Sequence, residues 1–311
     1  MSETPLGPTG RSLPREVQHC KGMSLVVDRA LWESIVDADA EVPPGHSAAE
    51  LLPALLDLLG EDDPWLRDEV GYGVLARWVV QDQLLTRDEL RYAVDRLVPD
   101  LRLGLDGAEV ADADNAAVRR SYSALALAIL AFRDVQDHFL DAAAVHRLLD
   151  AAVAYLLDEP DRRGHVPELG WINATAHAAD LLKFLVRNPL TEEADHRRVL
   201  DALQTLLTRA TGPVFVDDEE DRLVLVVVDV IGRETIGDDE LCDWMDTFGS
   251  WLAGRAGAFD PASRAAAVNL KRFVRTLHVA LSSRAHRREL TFDKPEVAAL
   301  DIARRFAAGP I

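Results

Sequence analysis

Apolar residues recur along this chain at helical spacing, in runs of roughly 12 to 20 residues that stop at Gly, Pro or Asp clusters and then restart. In order, the runs predict helices near 24–38, 47–59, 64–82, 86–102, 115–133, 140–157, 170–187, 191–210, 218–232, 238–253, 261–283 and 293–307. Ser47-Ala-Ala-Glu50 and Thr86-Arg-Asp-Glu89 read as capping boxes, in which the hydroxyl takes an N3 amide while the Glu reaches back. Asp63-Pro64 and Asp260-Pro261 each place an N-cap carboxylate before a proline that suits the first helical position. Links between successive runs are short, which favours antiparallel neighbours. The pattern predicts an all-α protein of about ten to twelve helices, stacked as antiparallel pairs in a HEAT-type α-solenoid, although no strict repeat is visible. Residues 1–22 read as a flexible tail, because Pro5, Gly7, Pro8, Gly10 and Pro14 break any helix, and 23–311 as a single solenoid domain. Arg222–Ile231 is dense in β-branched residues and scores as a strand on propensity. It is assigned to a helix because the preceding acids Asp217–Glu220 suit a helix N-terminus and no partner strand is evident.

One helix carries the most chemistry. Starting it at Gly170 puts Asn173, His177, Asp180 and Arg187 within an arc of about 80°, with Phe184 among them. Ala, Leu, Ile and Val fill most of the remaining positions, so the stripe suits the lining of a groove or pocket better than a solvent face. Two readings stand. The stripe can line a ligand site, with His177 as acid, base or donor and Asp180 one turn away fixing its tautomer. It can equally be a buried hydrogen-bond network tying this helix to the next. Asn173, His177 and Asp180 can also converge on an ion, with His165 and Glu168 completing the shell, but amides are poor zinc ligands and no HExxH pair exists.

The loop Asp161–Gly170 is glycine-punctuated and ends at a helix N-terminus. It can hold an anion, with Arg163 beside it, or simply reverse the chain. Trp171 reads as a core anchor ahead of a stacking platform. Arg120, on a helix apolar on nearly every side, needs a partner, for which the acids Asp217–Asp221 are candidates. Glu219 and Arg222, three residues apart, read as a surface pair or as the charged rim of the same groove. Gly71-Tyr-Gly73-Val-Leu-Ala76 mimics a dinucleotide fingerprint, but no strand precedes it and it lies inside a helical pattern. Lys271, Arg272, Arg275, Arg284, Arg287 and Arg288 form a basic patch read as a solvated face balancing neighbouring acids, with a docking site for an acidic partner as the alternative.

Composition narrows the partners. A net charge of −19 opposes phosphate-driven nucleic-acid binding and disfavours anionic membranes, so neither partner is expected. The same charge argues against a HEAT-like DNA glycosylase, which needs a basic concave face. Apolar runs such as Leu223–Val228 are far too short to cross a bilayer, and the first residues lack the apolar core of a signal peptide. Cys20 and Cys242 alone build no disulfide framework, which fits a cytoplasmic protein. The bias to Arg over Lys, with abundant Ala, Val and Asp, fits a GC-rich bacterial genome.

The segments DPWLRDEVGYGVLARWV (63–79), RSYSALALAIL (120–130), DRRGHVPELGWINATAHAADLL (161–182), VFVDDEEDRL (214–223) and NLKRFVRTL (269–277) together resemble a bacterial family, the domain of unknown function 2785. The resemblance spans about residues 30 to 280, and 161–182 is its most specific part. It implies an all-α, HEAT-like fold and carries no established activity, so no catalytic residue transfers. The family helix more often has His where Asn173 stands here, which weakens a metal-dependent reading of this chain. The expected function is a cytoplasmic binding scaffold. Its concave groove, lined by Arg120, Trp171, Asn173, His177 and Asp180, takes a small molecule, peptide or protein. The alternative is an enzyme with His177 as general acid/base and Asp180 or Glu219 assisting. No cofactor and no resident metal is implied.

Overall fold

A computed structural model describes residues 28–105, 113–255, 257, 260–286 and 293–306. The predicted tail, the helix start at 24–27, Cys20, Arg287 and Arg288 lie outside these residues. Among the described residues the protein is all-α. The helices are α1 (Arg29–Asp37), α2 (Ala48–Leu58), α3 (Arg87–Leu97), α4 (Ala113–Asp137), α5 (Ala142–Asp158), α6 (Ala174–Val186), α7 (Glu193–Thr208), α8 (Glu219–Gly232), α9 (Asp238–Gly254), α10 (Pro261–His286) and α11 (Asp293–Arg305). Two further segments, Trp65–Val74 and Arg77–Gln81, are wound more widely than an α-helix, and α3 tightens into a 3-10 turn over Val98–Arg102 at Pro99.

Local chemistry sets these boundaries. Both capping boxes form, with Ser47 and Thr86 accepting from the amides of Glu50 and Glu89. Asp63 caps the first wide segment through the Trp65 amide at 2.9 Å, and Asp260 caps α10 through Ser263 at 2.8 Å. The valine-rich stretch is helical, as α8. Its Leu223, Val224, Val226, Val227, Val228, Val230 and Ile231 are all buried, because α8 packs against α6 on one side and α10 on another. Burial on several faces explains a composition that imitates a buried strand. The Gly71–Ala76 mimic lies within helical structure, and among the described residues no strand precedes it.

The helix predicted from Gly170 is the exception. It begins at Ala174, because Gly170 (φ +82°) and Asn173 (φ +48°) both occupy the left-handed region, which a right-handed helix cannot cross. Before it, β1 (His165–Val166) and β2 (Gly170–Trp171) close a small antiparallel hairpin, His165 opposite Trp171.

The helices after α3 pack in two rows. Along one, α4 contacts α6, α6 contacts α8 and α8 contacts α10; along the other, α5 contacts α7, α7 contacts α9 and α9 contacts α11. Cross-row contacts such as α5 on α6 and α7 on α8 join them. One contiguous cluster of buried side chains runs from Trp32 to Ile302. In its middle lies α6, where Leu181, Leu182, Leu185, Val186 and, of the polar stripe, His177 and Asp180 are buried. Any polar group there must find an internal partner or face a cleft.

Candidate functional site

His177 is held by Ser121 of α4, whose Oγ lies 2.7 Å from Nδ1. The Ser121 hydroxyl donates its single proton to the carbonyl of Ile172. Nδ1 therefore carries the hydrogen and donates to Ser121 Oγ. Burial pushes the His177 pKa down to about 4, outweighing the nearby Asp180 charge, so the ring is neutral at physiological pH. The edge of its ring meets Tyr122 at 5.4 Å between centroids. The Ser–His distance suits nucleophile and base, but the chemistry runs the other way: Ser121 is fully buried, its proton is committed to a carbonyl, and the imidazole is a donor to it.

Asp180 does not fix the tautomer of His177, as the sequence suggested. Its carboxylate takes Lys183 Nζ at 2.8 Å and Arg222 Nη1 at 2.9 Å, joining α6 to α8. Arg187, further along the stripe, pairs with Asp229 of α8 at 2.7 Å. Asn173, displaced from the helix to its left-handed N-cap, has no side-chain cap bond, and its buried Oδ1 has no partner. The four stripe residues thus diverge to separate tasks, and among the described residues no three His, Cys, Asp or Glu side chains converge to hold a metal.

Arg67, which sequence reasoning passed over, supports this network from beneath. It is fully buried, bonds Asp68 at 2.8 Å and the carbonyls of Glu61 and Leu169, and lies 4.7 Å over the Tyr122 ring. Its place inside a wide helical segment gave no periodic signal separating it from a surface arginine.

Arg120 is buried and does pair, but with Glu159 at the end of α5 and not with the acids at 217–221. Nε and Nη2 meet the two carboxylate oxygens at 2.6 and 2.8 Å, and Nη1 bonds the Leu103 carbonyl. Glu219 is buried at the N-terminus of α8 and accepts the Asp217 amide at 2.9 Å. Trp171 is not a core anchor: it is 41% exposed and meets the His165 ring edge-on at 5.0 Å. A β-position next to a left-handed turn turned it outward.

In the loop after α5, Arg163 is exposed and closes on Asp161 with contacts of 2.6 to 3.1 Å. Its neighbour Arg162 points the opposite way, inward, donating to Thr175 Oγ1 and the Leu156 carbonyl, both at 3.2 Å. Gly164 has no room for a side chain, because the Asp217 carboxylate fills the space of a Cβ, leaving 1.5 Å. This contact seats the loop on the segment leading into α8.

Two clefts reach these residues. One, of about 630 Å³, has a floor of Tyr72, Leu125, Ile129, Phe132 and Phe184, with Asp180, Lys183 and Arg222 at one end. The other, of about 990 Å³, is lined by Arg120, Arg162 and Arg163 beside Pro160 and Gly104. The expected groove residues are therefore split: Asp180 and Arg222 share the first cleft, Arg120 and Arg163 the second, and His177, Asn173, Trp171 and Glu219 line neither.

Fold and site together define an all-α protein with charge-lined clefts beside α4 and α6. The model of the family described as Protein of unknown function (DUF2785) matches residues 108–279, more than half of the chain, and the protein belongs to that family. The segment 63–79, which contains Arg67, precedes the matched residues. No curated protein and no solved structure matches the chain. Among the described residues no helix is long and apolar enough to cross a membrane.

Proposed function

We propose that this protein is a non-catalytic binding module of the cytoplasm. Its two helix rows form a short α-solenoid, and its ligand combines an apolar body with one acidic group. The observation that carries the reading is the 630 Å³ cleft beside α6. Its floor is aromatic and aliphatic, while at its end two cations, Lys183 and Arg222, share the single carboxylate of Asp180. One positive charge is left over where an acidic group would arrive. Arg222 Nη1 is taken by Asp180, and the side chain is half exposed, so its remaining guanidinium hydrogens face the cleft mouth. Phe184 presents a face flanked by Phe132 at 5.1 Å and by the cations of Lys183 and Arg187. The half-buried thiol of Cys242 and the absence of a cysteine framework in the sequence support the location.

An enzyme built on His177 is the weaker reading. A neutral imidazole with a pKa near 4 is a poor base at neutral pH, and its proton is committed to Ser121. The test uses anilinonaphthalene sulfonate, an apolar body with one anionic group. It is expected to bind the folded chain, and Phe184→Ala and Arg222→Ala each to weaken binding about fivefold, about 1 kcal/mol. Unchanged binding in both variants, with native near-UV circular dichroism, rejects the cleft as the site.

A further inference from the structure

A third hollow, a narrow recess whose interior has room for little more than a water molecule, lies between the loop after α5 and the turn that follows α7. Arg162 and Arg209 face it together with Thr211, Gly212, Phe215 and Asn269; leucines of α7 and Ala266 of α10 supply the remaining wall. No carboxylate lines it, in a chain whose acidic residues outnumber the basic by 53 to 34. Its far wall is preformed, because Asn269 accepts the Phe215 amide and donates to the Pro213 carbonyl, each at 2.9 Å.

The two guanidinium groups are supplied with neutral acceptors only. Arg162 reaches Thr175 Oγ1 and the Leu156 carbonyl, and Arg209 reaches the Leu157 carbonyl at 2.5 Å. The nearest acid to Arg162, Glu159, has both oxygens taken by Arg120. Most of the ten N–H donors of the pair remain for another partner. Holding two like charges together without a counter-ion is unfavourable, and a bound oxyanion relieves it through charge-assisted hydrogen bonds. Burial, reinforced by the neighbouring Arg209 charge, makes Arg162 a weaker holder of its proton than an ordinary arginine.

We propose that the mouth of this recess binds a small oxyanion, its phosphoryl or carboxylate group held between Arg162 and Arg209. The site is separate from the Phe184 cleft and stands without it.

The experiment is calorimetric titration of the full chain with phenyl phosphate and with benzoate. At least one is expected to bind, and Arg162→Gln and Arg209→Gln each to weaken it about tenfold, the loss of one charge-assisted interaction. Tighter binding of phenyl phosphate assigns a phosphoryl ligand, and tighter binding of benzoate a carboxylate. Arg198→Gln, which removes a surface partner of Asp150, and Phe184→Ala are expected to leave the titration unchanged. If Arg162→Gln fails to fold, the exposed Arg209 carries the test. Absence of binding by both probes, or equal binding by wild type and both variants, overturns the proposal.

Discussion

The stripe along α6 and the loop that precedes it differ in what happens to their polar groups. On α6 the titratable groups are answered from within: His177 by Ser121, Asp180 by Lys183 and Arg222, Arg187 by Asp229. In the loop, Arg163 closes on its neighbour Asp161, while Arg162 turns inward with only neutral acceptors. A polar stripe on a buried helix is thus mostly internal wiring, and the charge left over for a ligand comes from the loop and from the exposed end of Arg222. The difference has a simple origin. Groups on a buried helix must be satisfied for the fold to form, whereas a loop arginine at a recess keeps water or a ligand within reach.

The largest effect that would sharpen this contrast is expected at Arg120. Arg120→Ala leaves Glu159 buried and unpaired, and is expected to cost about 3–5 kcal/mol in urea denaturation. A cost below about 1 kcal/mol would break the claim that the inner wiring carries the fold. His177 comes next, through pH. Its folded pKa, about 4, lies below the unfolded value of 6.5, so the unfolded chain takes up a proton first as pH falls. Its contribution is complete above about pH 6.5 and lost on the way down to 4, a change of about 3 kcal/mol. His177→Gln is expected to remove that part of the pH slope, and an unaltered slope refutes a buried neutral imidazole. Asp180→Asn is expected to cost only about 1 kcal/mol, since Arg222 is half exposed and solvent screens it. Arg162→Gln is the smallest: stability within about 1 kcal/mol of wild type, because the hydrogen bonds lost are to neutral acceptors and a like-charge repulsion goes with them.

Much of the fold was legible because helix signals are local. Period, capping boxes and the Asp-Pro starts lie within a few residues of one another, and the assignment of the valine-rich α8 rested on its acidic first turn. The start of α6 was misplaced because it depends on two left-handed residues, and Asn173 carries no local mark that distinguishes a turn from a helix. The site was legible in location only. That Asp161–Asp180 holds polar groups in the interior was readable. Which partner each group takes was not, since Ser121, Glu159 and Arg222 come from other helices. Which of Arg162 and Arg163 turns inward was not readable either: adjacent residues of an extended segment face opposite sides, and the sequence does not say which side is inside.

The contact between Gly164 and the Asp217 carboxylate bears on the order in which this chain matures. The helix pair α4 and α6, with His177 already on Ser121, can assemble once the chain up to residue 186 is present. The Arg162 recess cannot: its opposite wall arrives with Pro213, Phe215 and Asn269, after α7 has folded back and α10 has docked. Contacts of high sequence separation form late, once nearer ones have offset their loop-closure entropy. A nascent chain ending before α7 would therefore hold a native-like His177 environment and still have no anion site, and during refolding the two signals should rise one after the other.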